Sequence, residues 1–209
     1  MSSQTGIETS SEHLELTEAA SSYADELLEL LVERGSGQYG YEPVTQLEHA
    51  LQSAMLAELA GDSAALIVAA LFHDIGHLVE DADVTQLERG QDDRHEMRAV
   101  EVLRRCFDSE VCGPVALHVS AKRFLCATEP GYLATLSPAS QQSLIVQGGV
   151  MSAEEVARFR GMRHFPAALR LRRYDDTAKL VDCHTPSAEH FARYWRRLPS
   201  QPSKLRKDS

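Results

Sequence analysis

Apolar residues recur along this chain at the three- and four-residue spacing that is typical of amphipathic helices. Between residues 14 and 34, Leu27, Leu28 and Leu31 share one helical face, and Gly35 is placed to end that helix. Similar patterns follow in later segments, and we find no convincing strand and no internal repeat. The chain is therefore predicted to be all-α.

Glycine, proline and capping residues mark where each predicted helix begins or ends. Thr45 and Glu48 form a capping box, and Ser137-Pro138 is typical of a helix start. The predicted helices span about residues 14–34, 45–60, 63–72, 94–107, 109–123, 138–147, 153–162, 166–180 and 187–197. The predicted loops are 35–41, 76–91 and 124–136.

Length and composition indicate a single globular domain. The chain has 209 residues, of which 43% are hydrophobic and 25% charged, values that are ordinary for one globular domain. Residues 1–12 are rich in Ser and Glu and predict a disordered lead-in. Residues 199–209 predict a mobile basic tail, so the domain should span residues 13–198.

Charge and hydropathy exclude several classes of partner. The net charge of −10 argues against nucleic acid. No apolar run approaches the ~20 residues of a membrane helix, and residues 1–15 lack a signal-peptide core. We therefore expect a cytoplasmic protein whose oligomeric state stays open between a monomer and a weak dimer.

The four cysteines form no Cys-x-x-Cys pair and should be reduced, buried apolar residues.

The predicted helix at residues 63–72 ends in the most informative polar residues of the chain, His73-Asp74, followed by Gly76 and His77. Because its surface is almost entirely apolar, we expect burial on all sides. An imidazole beside a carboxylate can chelate a borderline or hard metal ion. The two oxygens of the carboxylate could also bridge two ions.

Further histidines and an aspartate accompany this pair. Singly, each is more often structural, but they begin or interrupt helices of strong apolar periodicity, where a buried imidazole needs a partner. A set of four His and two Asp suits iron or manganese better than a closed thiolate zinc site. The candidate metal ligands are His49, His73, Asp74, His95, His118 and Asp175.

The order His, His-Asp, His, His, Asp resembles the HD-domain superfamily. The pattern is most similar to its diiron oxygenase branch, which includes myo-inositol oxygenase and the 2-amino-1-hydroxyethylphosphonate dioxygenases. The resemblance to the phosphonate branch covers about residues 39–195 and implies a single HD-domain helical bundle. It rests on residues 46–52 (QLEHALQ), 69–77 (AALFHDIGH), 118–123 (HVSAKR), 136–144 (LSPASQQSL) and 172–176 (RRYDD).

The resemblance implies two iron ions in a mixed-valent Fe(II)/Fe(III) pair. Asp175 is preferred to Asp176 as a ligand because Arg172 precedes it by three residues and joins its helical face; Asp176 would then orient a ligand histidine. The implied ligands of one iron are His49, His73, Asp74 and Asp175, and those of the other are Asp74, His95 and His118.

The implied reaction uses O2 to cleave the carbon–phosphorus bond of a 1-hydroxy-(2-amino)alkylphosphonate, giving phosphate and a carboxylic acid of the glycine type. Lys122 and Arg172 would hold the phosphonate, although the residues alone also fit a solvated helix face. The implied catalytic residues are Asp74, His77 and Lys122, and the implied substrate contacts are Tyr39, Glu42, Gln46, His77, Lys122, Ser140 and Arg172.

The glycine-rich loop before His49 carries Tyr39 and Glu42. We expect Glu42 to bind a substrate ammonium and Tyr39 to fill an open iron position at rest; the alternative is a surface loop with one buried tyrosine. Arg173 and Lys179 are expected to be solvated.

Three other functions compete with this interpretation. The first is an HD-type phosphohydrolase, in which metal-bound hydroxide attacks a phosphate ester without consuming O2. The second is an oxygenase of the same class that acts on an N-methylated aminophosphonate or a polyol. The third is a non-enzymatic binding module, against which the complete ligand set argues.

Overall fold

The computed structural model describes residues 5–39, 42–79 and 92–198, with side chains from residue 19 onward. Within these ranges the regular elements are helices, which confirms the all-α prediction, and an isolated antiparallel bridge joins Gln38 to Thr45. In chain order they are α1 (Thr5–Arg34), α2 (Gln46–Leu59), α3 (Ala64–Phe72), α4 (Gly76–Val79), α5 (His95–Leu103), α6 (Ser109–Thr128), α7 (Tyr132–Thr135), α8 (Pro138–Val146), α9 (Ala153–Arg160), α10 (Phe165–Thr177), a 3-10 turn (Ala188–Phe191) and α11 (Ala192–Trp195).

Helix α3 forms the centre of the bundle, as its apolar surface predicts. Every residue from Leu66 to Phe72 is buried, and α3 contacts α2, α6, α10 and α11. The ring of Phe72 packs against Phe107 and Trp195 at centroid distances of 6.3 and 5.8 Å. The C-terminal end of α3, with the His-Asp pair, therefore lies inside the protein.

Several predicted boundaries differ from the structure. Helix α1 begins at Thr5, so residues 5–12 of the expected disordered lead-in are helical. Helix α6 continues to Thr128, into the predicted loop at 124–136, because no proline or glycine lies between Pro114 and Pro130 and its apolar residues enter a second core cluster. Helix α10 ends at Thr177 rather than near residue 180. The predicted loop at 76–91 begins instead as helix α4 over Gly76–Val79. Residues 80–91 of that loop and the basic tail lie outside the described residues.

The capping box predicted at the start of α2 is present. The Thr45 hydroxyl accepts from the Glu48 backbone N–H, and the Glu48 carboxylate accepts from the Thr45 N–H at 2.7 Å. This reciprocal pair fixes the first turn of α2, and that turn carries His49 into the interior.

The cysteine and membrane expectations can be compared with the same residues. All four cysteines are free; Cys106 and Cys112 are buried, whereas Cys126 and Cys183 are only partly so. Across the described part of the chain, none of the helices combines the length and the apolar character that crossing a membrane requires.

Candidate metal centre

The structure brings all six sequence-predicted ligands together in the interior. They come from α2, the segment after α3, α5, α6 and α10, and each of them is buried. His49, His73 and Asp175 place donor atoms within 4.8 Å of one another, and Asp74, His77 and His95 form a second such group. Residues distant in sequence therefore form two adjacent groups of N and O donors.

Asp74 lies between two pairs of histidines. Its Oδ2 is 3.4 Å from His73 Nε2 and 3.7 Å from His49 Nε2. Its Oδ1 is 3.5 Å from the Nε2 atoms of both His95 and His118. Oδ1 is also buried without a hydrogen-bond partner, which is costly for a carboxylate oxygen unless a cation binds it.

The outer ring nitrogens fix the tautomers of the histidines. His49 Nδ1 lies 2.8 Å from the Ala178 carbonyl oxygen, and His73 Nδ1 lies 2.9 Å from that of Ala70. His118 Nδ1 lies 2.8 Å from the carbonyl oxygen of its own helix at Val115. A carbonyl only accepts, so each of these Nδ1 atoms carries the proton and each Nε2 presents a lone pair inward.

The inward lone pairs face each other at close range. His49 Nε2 is 3.2 Å from His73 Nε2, and His95 Nε2 is 3.1 Å from His118 Nε2. Burial, as the largest cause, lowers the pKa of His49 to about 4 and that of His118 to about 3, which keeps both rings neutral. The facing lone pairs of His49 and His73 repel unless a cation lies between them. At the second pair, burial is outweighed by the hydrogen bond to Asp93 and the Asp74 charge, which raise the pKa of His95 to about 9, so a positive charge is favoured there as well. The donor set therefore fits one metal ion on each side of Asp74.

Asp175, not Asp176, faces the histidines. Its Oδ1 lies 3.6 Å from His49 Nε2 and its Oδ2 lies 3.9 Å from His73 Nε2. Asp176 instead accepts from the Arg172 guanidinium and the Tyr132 hydroxyl. The expected role of Asp176 in orienting a ligand histidine is therefore replaced by one in holding Arg172.

Sequence reasoning missed Asp93, which holds two histidines. Its Oδ1 accepts from His95 Nδ1 at 2.9 Å and its Oδ2 accepts from His77 Nδ1 at 3.0 Å. The His77 ring stacks on His95 at 4.2 Å. A Cβ at Gly76 would lie 2.0 Å from the His95 carbonyl oxygen, so glycine permits this approach. A carboxylate two residues before a candidate ligand was a usable signal, since metal-ligating histidines usually donate their second N–H to such a group.

Tyr39 covers the centre from the loop before α2. Its hydroxyl donates to Asp74 Oδ2 at 2.5 Å, and its ring stacks on His49 at a centroid distance of 4.2 Å. Burial, followed by the Asp74 and Asp175 charges, raises the pKa of Tyr39 well above its usual value. The phenol is therefore neutral and lies beside the Asp74 carboxylate.

Comparisons with known proteins agree with this geometry. The HD domain family matches residues 47–133. A [1-hydroxy-2-(trimethylamino)ethyl]phosphonate dioxygenase (glycine-betaine-forming) of Leisingera caerulea is 42% identical over 165 residues, which cover 79% of this chain and 84% of that relative. A hydroxymethylphosphonate dioxygenase of Gimesia maris is 38% identical over 179 residues, covering 85% and 89%. The chain belongs to the HD-domain phosphonate dioxygenases.

The resemblance seen in the sequence is thereby confirmed, and this dioxygenase is an oxidoreductase of a metal-dependent family. An uncharacterized protein of Acanthamoeba polyphaga mimivirus is also similar, with 39% identity over 157 residues that cover 74% of this chain and 72% of that protein. The His and Asp groups described above can bind the metal.

Two buried cations of the dioxygenase flank the centre at the predicted positions. Lys122 Nζ donates to Ser143 Oγ at 2.7 Å and lies 3.5 Å from the Ser140 carbonyl oxygen. Burial, then the Arg172 charge, lowers the pKa of Lys122 to about 7. Arg172 Nη1 contacts Asp175 Oδ2 at 2.8 Å. Lys122 and Arg172 are therefore interior groups, and the solvated-face alternative is wrong.

Two of the remaining predicted contacts of the dioxygenase, Glu42 and Ser140, lie beside Lys179. Glu42 is buried and Ser140 is buried, whereas Gln46 is only partly buried at the start of α2. Lys179 Nζ donates to Glu42 Oε1 at 2.7 Å and to Ser140 Oγ at 3.1 Å. The expectation that Lys179 is solvated was wrong, because α10 ends at Thr177 and the chain then turns this side chain inward. Glu42 is therefore already paired with a positively charged side chain, that of Lys179.

Proposed function

We propose that this dioxygenase holds two iron ions, one on each side of Asp74, and uses O2 to cleave the carbon–phosphorus bond of a 1-hydroxyalkylphosphonate. Oxidative cleavage of a hydroxyalkylphosphonate rests on membership of the family. The observation that carries the two-ion proposal is that each Asp74 oxygen faces a different pair of histidine Nε2 atoms. The proposed ligands are His49, His73, Asp74 and Asp175 for one iron and Asp74, His95 and His118 for the other.

Iron is proposed because the donors are imidazole and carboxylate groups, which suit redox-active iron. Bound iron would supply the redox chemistry with O2, and a mixed-valent Fe(II)/Fe(III) pair is the form we propose. In the balanced reaction, the substrate and one O2 give a carboxylate, phosphate and a proton. The carbon–phosphorus and carbon–hydrogen bonds break, and the four electrons that leave the carbon centre reduce O2. No external reductant is consumed.

Lys122 and Arg172 are proposed to bind the phosphonate. Both are buried, and the forked guanidinium of Arg172 is oriented by Asp175 and Asp176. A buried cation pair of this kind favours an anionic group, and the planar fork can bind two phosphonate oxygens at once. Their proximity to Asp175 would place the phosphonate beside one metal.

Tyr39 and His77 are proposed to act next to each other at the centre, with their ring centroids 6.4 Å apart. Tyr39 would leave Asp74 when substrate enters, since its phenol fills the space next to the bridging carboxylate. His77 has its Nδ1 bound to Asp93. It would donate to substrate from Nε2 only as the imidazolium, and otherwise it would accept a proton there.

The names of the relatives support a hydroxyphosphonate as the substrate class. One relative is named for a trimethylamino substrate and another for hydroxymethylphosphonate. These substrates share a hydroxyl on the carbon bonded to phosphorus and differ in the rest of the chain. An HD-type phosphohydrolase is not favoured, because the relatives are dioxygenases.

Metal analysis of iron-replete protein tests the two-ion proposal. The wild type should contain two irons per chain, and His95→Ala should retain at most one tightly held iron and lose dioxygenase activity. His184→Ala, which changes an exposed histidine, is the matched control and should retain both irons. Two retained irons in His95→Ala would refute the assignment of this residue.

A further inference from the structure

The ion pair between Lys179 and Glu42 is buried in the substrate pocket, the region that we propose between Tyr39, Ser140 and Lys122. The two side chains are only 11% and 8% exposed. Lys179 Nζ lies 2.7 Å from Glu42 Oε1, 3.1 Å from Ser140 Oγ and 3.4 Å from Ser137 Oγ. Glu42 also accepts from the Ser137 hydroxyl. Lys179 thus neutralises Glu42, and the Lys179 ammonium and the Ser137 hydroxyl bind the same carboxylate oxygen, Oε1.

The Lys179–Glu42 ion pair lies near Tyr39 and near Lys122, which is one of the two proposed phosphonate-binding residues. Lys179 Nζ lies 5.8 Å from the centroid of the Tyr39 ring, whose hydroxyl binds Asp74. Ser140 accepts from Lys179 through its hydroxyl and from Lys122 through its carbonyl. A substrate that displaces Tyr39 and places its phosphonate on Lys122 would direct the rest of its carbon chain toward Lys179.

We infer that Lys179 determines substrate specificity, so that the pocket selects hydroxyphosphonates whose carbon chain carries no positive charge. This inference rests on the proposed function. A substrate ammonium in this part of the pocket would meet the Lys179 ammonium, and a like charge at contact distance in a buried site is strongly unfavourable. It would also find the Glu42 carboxylate already paired. This inference is the opposite of the sequence-based expectation that Glu42 binds a substrate ammonium.

The same geometry predicts how the preference can be inverted. Removing the Lys179 charge would leave Glu42 buried without a cation, a state of high energy that a substrate ammonium would relieve. Lys179→Met keeps roughly the length of the side chain and removes its charge together with its hydrogen-bond donors. The double variant Lys179→Met/Glu42→Gln removes both charges and should show no preference based on charge.

Binding of unreactive analogues tests the inference without requiring turnover. Ethylphosphonate and 2-aminoethylphosphonate lack the hydroxyl group and differ in one ammonium, and their Kd values can be measured on the iron-loaded protein by calorimetry. The wild type should bind ethylphosphonate at least about tenfold more tightly than 2-aminoethylphosphonate. This difference in affinity is only a small part of the like-charge repulsion that is expected at this separation. Lys179→Met should move the ratio of the two Kd values toward the amine by at least about fivefold.

The matched control is Arg173→Met, which removes an exposed cation paired with Glu129 and should leave the ratio unchanged. Equal or tighter binding of the amine by the wild type would overturn the inference. So would a shift of less than about fivefold in Lys179→Met when the double variant folds and binds. A separate assay tests the proposed function. If that function is wrong, the iron-loaded protein will release no phosphate from hydroxymethylphosphonate or 1-hydroxyethylphosphonate in the presence of O2. The Kd ratios still report on Lys179 in that case.

Discussion

Replacing Asp93 by Asn should weaken one metal site and spare the other. The Asp93 carboxylate accepts from the Nδ1 atoms of His95 and His77, at 2.9 and 3.0 Å. An asparagine has one acceptor oxygen and one amide donor, so it can accept from only one of these rings. The second ring then loses its partner, and the tautomer that directs its Nε2 toward the metal is no longer fixed.

The expected loss of metal affinity is confined to one site, because Asp93 contacts histidines on only one side of the centre. Loss of a carboxylate behind a metal-binding histidine typically costs 10–100-fold in metal affinity or activity, or roughly 1.4–2.8 kcal/mol. The other proposed site should be unaffected, because its histidines donate to the carbonyls of Ala178 and Ala70. One of the two irons should therefore dissociate at a free-iron concentration that leaves the second bound.

Equilibrium dialysis against graded free Fe(II), followed by iron analysis, measures the two affinities separately. Asp92→Asn is the matched control, since Asp92 is exposed and accepts from the Arg94 backbone N–H at 3.2 Å, a bond that asparagine can keep. Equal loss of both irons in Asp93→Asn would refute the reasoning, as would unchanged binding of both.

Three further predictions follow from the substrate pocket. Arg172→Lys keeps the charge but loses the planar fork, so phosphonate affinity measured by calorimetry should fall by roughly 1–3 kcal/mol; an unchanged KM and kcat would contradict this role. Burial lowers the pKa of Lys122 to about 7, so its charge is lost as pH rises through this value. The kcat/KM for phosphonate should then fall above pH 7 in the wild type, and Lys122→Arg should remove that decline; an identical pH profile in the variant would count against Lys122. Bound iron would lower the pKa of the Tyr39 phenol, so Tyr39→Phe should eliminate any phenolate-to-iron absorption of the resting enzyme; a band that persists in the variant would contradict the proposed position of Tyr39 at the iron.

The burial of the candidate metal-binding residues could be predicted from the sequence because part of its physical signal is local. The uniformly apolar residues of α3 require burial on all sides, and this buries His73 and Asp74, which follow directly. His49 falls in the first turn after a capping box. These features depend on neighbouring residues, so they survive without knowledge of the tertiary contacts.

The contacts of Asp93 and Lys179 with the site were harder to predict, because they depend on how segments outside the helices fold back against it. The spacing before His95 points to Asp92 and Asp93 together, and only the tertiary structure shows that Asp93 is the one that contacts the ring. Lys179 follows Asp175 by the same four residues that separate Lys122 from His118, so the argument used for Lys122 was available. The actual contact with Glu42 nevertheless depends on α10 ending at Thr177, which no local pattern indicated.

The most direct test of the account is the stoichiometry of O2 consumed to phosphate released. Iron-loaded wild-type protein, given hydroxymethylphosphonate in a sealed oxygen-electrode cell, should release one phosphate for each O2 consumed, with none released under argon. Release of phosphate without O2 consumption, from this phosphonate or from a phosphate ester, would contradict the account and favour metal-dependent hydrolysis.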